Sequence, residues 1–196
     1  KTSNYFKKYG EIEHNCIIGA EHYHGNIEVN RKVSSSKIDN LIVRGTIKIS
    51  KDDFIYSPRI IYFNNYQQFQ IQSKFFNISY FTFILGELDY EIRFISKIKH
   101  LFKCIKKKKF FGVSTGFFSL IYAYLNNPDA DIIVSGIGMK EDMSQYDNKN
   151  HGFINRARVD NFFIKKTGNK FLKNIESLDE DLINISKIKR WQGPIF

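Results

Sequence analysis

The sequence predicts an α/β fold, a Rossmann-like and mostly parallel sheet flanked by helices. Two observations carry this class. Short apolar runs that stop at glycine or asparagine alternate with helical stretches, the pattern of parallel strands joined by crossover helices. No internal repeat and no Pro-rich linker interrupts the chain, which holds three prolines in 196 residues. That length suits a single domain spanning 1–196 with a sizeable core.

The first strand is read in Asn15-Cys16-Ile17-Ile18-Gly19-Ala20, a short apolar run ending in Gly. Glu21–Lys37 is polar and rich in His, Gly, Asn and Ser, suiting a loop or a short helix. Asn40–Ser50 is β-branched and partly alternating, which predicts a second strand. Arg59–Phe63 predicts a third, stopped by Asn64-Asn65. Phe75–Leu85 is dense in Phe, Ile and Tyr and suits either a strand or a buried helix. Beyond Leu88, Ile92, Ile95, Ile98 and Ile105 recur at helical spacing with Arg93, Lys97, Lys99 and Lys103 between them. This predicts an amphipathic basic helix running into Lys106–Lys109. Ser114-Thr115-Gly116 opens a helix over Phe117–Asn127, ended by Asn126-Asn127-Pro128. Asp131–Ser135 predicts a buried strand that stops at Gly136-Ile137-Gly138. His151 leads into a largely helical Val159–Lys173. A short strand is expected within Phe171–Leu178, and Asp179-Glu180-Asp181 starts a terminal segment.

The hydrophobic fraction of 42% excludes a disordered chain, and the net charge of +10 calls for an acidic partner. Cys16 and Cys104 cannot form a disulfide framework and lack metal-type spacing. No signal peptide and no apolar run near 20 residues is present, so a cytoplasmic location is expected, compatible with peripheral contact on an inner membrane face. The sequence begins at Lys1 without Met, as a trimmed or internal piece would.

The densest chemistry lies in Gly112–Met139. A Ser or Thr at a helix start caps exposed amides, and a Gly there lets a ligand approach the backbone. The helix dipole then favours a phosphate or carboxylate. Strand ends such as Ser135–Gly138 line the ligand crevice of open α/β folds.

The string STGFFSLIYAYLNNPDADIIVSGIGM resembles the small sialylmotif of animal-type sialyltransferases and the Ser/Thr-Gly helix with its SGID-type strand end in bacterial ones. Ile17-Ile18-Gly19, Ile38–Arg44 and Phe63-Asn64-Asn65 follow the order of that family's nucleotide half. The first loop, Gly19–Gly25, differs from the family's Gly-rich pattern, and Gly138 stands where an acidic residue is usual. The resemblance implies a nucleotide-sugar-binding domain performing inverting, metal-independent transfer of sialic acid, or of the related sugar Kdo, from a CMP-sugar to a glycan acceptor, lipid-linked or free. It needs no cofactor and no metal.

In such a transfer the acceptor hydroxyl attacks the anomeric carbon, CMP leaves with the electrons of the broken C–O bond, and a base takes the hydroxyl proton. The resemblance implies that the base is His151 and that Tyr146 stabilises the leaving phosphate. It places Gly19, Arg44, Asn64, Ser114, Thr115, Gly116, Ser135, Gly136 and Ile137 around the nucleotide and sugar. Arg156, with Arg158 nearby, would meet phosphate or the donor carboxylate, since the Arg fork matches such oxyanions.

His22-Tyr23-His24 would offer a metal an i, i+2 pair on a strand, although no third ligand lies near. Asp129-Ala130-Asp131 precedes its strand and Asp179-Glu180-Asp181 reads as a helix cap, so neither suits a catalytic metal. Two other classes compete with the enzyme. One is a basic module binding nucleic acid or an anionic membrane through the lysine-rich helix; the scarcity of Arg weighs against base reading, and no nucleic-acid partner is expected. The other is a transferase fold retained without activity.

Overall fold

The structure, a computed structural model, describes residues 13–107, 112–137, 151–167, 174–186 and 188–193, with the side chains of 107, 151–155 and 166–167 outside that description. It is mixed α/β. The chain divides into two compact units, Lys1–Asn64 and Asn65–Phe196, each with its own three-stranded parallel sheet.

In the first unit, β1 (Asn15–Gly19), β2 (Asn40–Arg44) and β3 (Arg59–Phe63) pair in chain order. The apolar runs become strands because both faces of the central one are covered: Leu41, Ile42 and Val43 are completely buried. β1 and β2 are joined by α1 (Ala20–Gly25) and α2 (Ile27–Ser35). Asn26 starts α2 by accepting from the amides of Glu28 and Val29. Tyr23, Ile38, Ile49 and Phe54 close the core against Ile18, Leu41 and Val43.

The second strand is shorter than the sequence predicts. It stops at Arg44 because Gly45, at φ 127°, turns the chain away; its amide makes one last bond to the Phe63 carbonyl. Residues 45–50 instead cross to Tyr62, whose hydroxyl accepts from the Ile49 amide and donates to the Ile49 carbonyl. The strand alignment of His22 and His24 also fails. Both lie on α1, where a two-residue step points side chains about 200° apart. His24 Nε2 instead lies 3.1 Å from the Lys48 carbonyl.

The second unit begins with α3 (Asn65–Phe76) and α4 (Tyr80–Leu88), separated at Asn77, which has φ 50°. The apolar run Phe75–Leu85 is therefore the end of one helix and most of the next. α5 (Phe94–Lys107) is the expected basic helix and α6 (Thr115–Asn126) the expected capped one. β4 (Ile132–Val134), α7 (His151–Thr167), β5 (Ile175–Ser177), α8 (Glu180–Ser186) and β6 (Lys189–Arg190) follow, and β4, β5 and β6 pair in chain order. Rings build the core: Phe76 stacks on Phe117 and Phe163 with centroids 5.9 and 5.2 Å away, and Phe83 stacks on Phe163 at 5.7 Å. Among the described residues no helix is long and apolar enough to cross a membrane.

Candidate functional site

Within each unit, several of the predicted residues lie at the carboxyl edge of its sheet, the edge at which open parallel sheets receive ligands. In the first unit Gly19, Arg44 and Phe63 occupy one register row at the ends of β1, β2 and β3, and Asn64 follows directly. Gly19 also precedes α1 with no side-chain cap. Arg44 is buried at 4% exposure. A groove of about 430 Å3 lined by Glu13, His14, Cys16, Lys32 and Lys37 lies at the opposite, amino edge of this sheet.

In the second unit the two parts of the resembling motif come together. Ser114 caps α6, its hydroxyl accepting from the Phe117 amide at 3.2 Å. Thr115 and the exposed Gly116 form the first turn, whose leading amides have no acceptor within a helix. A Cβ on Gly116 would stand 3.7 Å from Ile137 Cγ1, so the helix start abuts the end of β4. Ser135 and Gly136 are exposed beside it.

At that strand end the amides of Gly136 and Ile137 donate to the two carboxylate oxygens of Asp179, each at 3.0 Å. Asp179 does precede α8 as expected, and its carbonyl accepts from the Ile183 amide. Its carboxylate, however, serves the turn after β4 instead of its own helix. The turn thus holds an internal anion.

The loop feeding α6 is fixed by three consecutive amides, each donating to a side chain from a different helix. Gly112 donates to Glu87 Oε2 (2.8 Å, α4), Val113 to Gln72 Oε1 (2.9 Å, α3) and Ser114 to Asp160 Oδ1 (2.7 Å, α7). Gln72, Glu87 and Asp160 are all essentially buried. Gly112 must be glycine twice over: φ is +64°, and a Cβ would fall 2.0 Å from Gln72 Oε1 and 2.7 Å from Phe83 Cε2.

Arg156 is drawn into this support. Its Nη1 donates to both Glu87 oxygens at 3.1 Å and to the Gly112 carbonyl, and its guanidinium lies 4.7 Å over the Tyr90 ring. Its observed partners therefore belong to the protein. Arg158 is half-buried on the same helix. α7 begins at His151, so the expected base stands at a helix start. Tyr146 and Gly138 lie outside the described residues.

Sequence reasoning missed the cluster around Glu87. Glu87, His100 and Cys104 bring one potential ligand atom each within 4.8 Å of one another. His100 Nε2 lies 3.3 Å from both Glu87 Oε1 and Cys104 Sγ. Two features make it a poor metal site. The Arg156 guanidinium already neutralises the carboxylate, and the thiol is held protonated. Desolvation, then the Glu87 charge, push the Cys104 pKa up to about 11, partly opposed by Arg156 and Lys103. A metal needs the thiolate. At pH 8 the Cys104 thiolate fraction falls about a hundredfold below that of an ordinary thiol, so alkylation in the folded protein is expected to run at least about tenfold slower than for a model thiol. Timed iodoacetamide labelling with mass-spectrometric assignment checks this; a rate equal to that of the unfolded chain contradicts it. The one advance signal was Glu87 itself, an acid inside the apolar helix YFTFILGEL.

Comparison with family models, with curated proteins and with solved structures finds no match.

Proposed function

We propose that the chain is a Rossmann-like, CMP-sugar-dependent transferase of sialyltransferase type, moving sialic acid or Kdo to a glycan acceptor without a metal. The observation that supports this reading best is the meeting of Gly116 with Ile137. Residues about 20 positions apart, which the resemblance assigns to one donor site, lie in contact, and side-chain acceptors from three helices hold the loop before them.

Within this reading the α6 amino terminus receives the donor's anionic groups. Its amides and dipole favour negative charge, and Gly116 leaves the backbone open to approach. The Gly136 and Ile137 amides keep Asp179 and act by shaping the turn. Arg156 supports the loop through Glu87 and Gly112, an indirect part compared with the direct oxyanion contact that its guanidinium chemistry suggests. Gly19, Arg44 and Asn64 form the nucleotide edge of the first sheet. His151 removes the acceptor proton, the role the resemblance gives it. Tyr146 donates to the departing phosphate.

A thermal-shift series with CMP, UMP, GDP and ADP tests the donor class. At about a hundredfold excess over Kd, a ligand binding only the folded state adds about 2.7 kcal/mol, or roughly 5 °C or more for a chain of this size. CMP is expected to give that shift and the others much less. Equal shifts with all four, or none with CMP, sink the reading.

A further inference from the structure

We infer that α5 is an interfacial anchor that seats this unit on an anionic lipid bilayer, its apolar stripe entering the headgroup boundary. The inference rests on which way the helix faces and is independent of the transferase reading. At about 100° per residue, Phe94, Ile95, Ile98, Phe102 and Ile105 fall within one arc of about 100°. All five are exposed, Phe94 at 75%, Ile95 and Phe102 at 67%. An ordinary surface helix turns this stripe into the core. Here the fold takes the other side: Cys104 is buried, His100 reaches Glu87, and Lys97 pairs with Asp89 at 3.3 Å. Ile92, just ahead of the helix, is 71% exposed as well.

Charge selects the occupant. Lys99, Lys103 and Lys106 are exposed and follow the apolar arc on one flank, and the helix FISKIKHLFKCIKK contains no acid. Apolar residues on one arc with lysines at its border are the pattern of helices lying in an interface, where each lysine near an anionic leaflet adds about 1 kcal/mol. A second copy fits poorly. The stripe is about 17 Å long and 10 Å wide, a footprint on the order of 170 Å2 against the roughly 800 Å2 per partner of stable interfaces, and antiparallel pairing would bring lysine rows together. Nucleic acid would satisfy the lysines yet leave five apolar side chains in water.

The test is co-sedimentation of the full chain with phosphatidylcholine vesicles and with vesicles also containing phosphatidylglycerol. The wild type is expected to bind the anionic vesicles and hardly the neutral ones. Phe94→Ser/Phe102→Ser should weaken binding at least about tenfold, and Lys99→Glu/Lys103→Glu by a similar factor. These positions are exposed, so the thermal midpoint should stay within about 1–2 °C of wild type, which separates lost docking from lost folding. Three outcomes overturn the inference: no binding to anionic vesicles, binding that the phenylalanine variant leaves intact, or concentration-dependent dimers that this variant abolishes. Salt-sensitive binding to duplex DNA without vesicle binding overturns it too.

Discussion

Glu87→Ala is expected to lower stability by about 3–5 kcal/mol. The carboxylate accepts from the Gly112 amide, from Arg156 Nη1 on both oxygens and lies against His100, while being 1% exposed. Truncation removes the Glu87 charge from beside the partly buried Arg156 guanidinium, and breaking such a pair from one side costs more than the pair itself contributes. The lost acceptor for the Gly112 amide is part of that cost, since it leaves a buried donor unsatisfied. Urea unfolding of the variant measures the sum. Glu87→Gln keeps one acceptor and the shape, and should recover part of the loss. A midpoint unchanged in Glu87→Ala would show that solvent or a neighbour readily replaces the carboxylate. Gly112→Ala attacks the same junction from the backbone side, through its left-handed φ and the approach to Gln72 and Phe83, and should be comparably damaging.

His151→Ala is expected to reduce sugar transfer from the CMP-donor by about 10²–10⁴ while leaving CMP binding close to wild type. That is the usual worth of a positioned general base, and a base contributes to the transition state more than to the ground state. Measuring kcat against KM separates the two roles: a base alters kcat, whereas a binding residue would raise KM. Full activity in His151→Ala would remove the residue from the mechanism while leaving the CMP result to judge the donor class independently.

How much of this was legible in the sequence depended on what each side chain buries. β1 and β3 were visible because apolar runs ended at Gly19 and Asn64. The start of α6 was visible because Ser114 is a strong N-cap and Pro128 a stop. α3 was missed for a physical reason: its buried face carries Gln68 and Gln72, both at 0% exposure, so no apolar stripe marks it. Those glutamines are inside because Gln72 spans from the Gln68 carbonyl to the Val113 amide. The full length of β2 was misread because the β-branched pattern continues past Gly45, where only the backbone angle shows the turn. The Glu87–Arg156 pair joins residues 69 apart, a distance across which no periodicity carries information. Motif residues were legible as a group; their support was not, since it is made of contacts with no local spacing.

The three pinned amides set a rule for ligand linkage in the second unit. Their acceptors lie 25, 41 and 46 positions away, on three helices. Residues 112–114 are therefore tied to α3, α4 and α7 at once, and releasing them breaks a bond to each of the three helices. A ligand held at that helix start would draw its binding energy against the cooperative unfolding of the whole unit, and would protect amides far from where it sits.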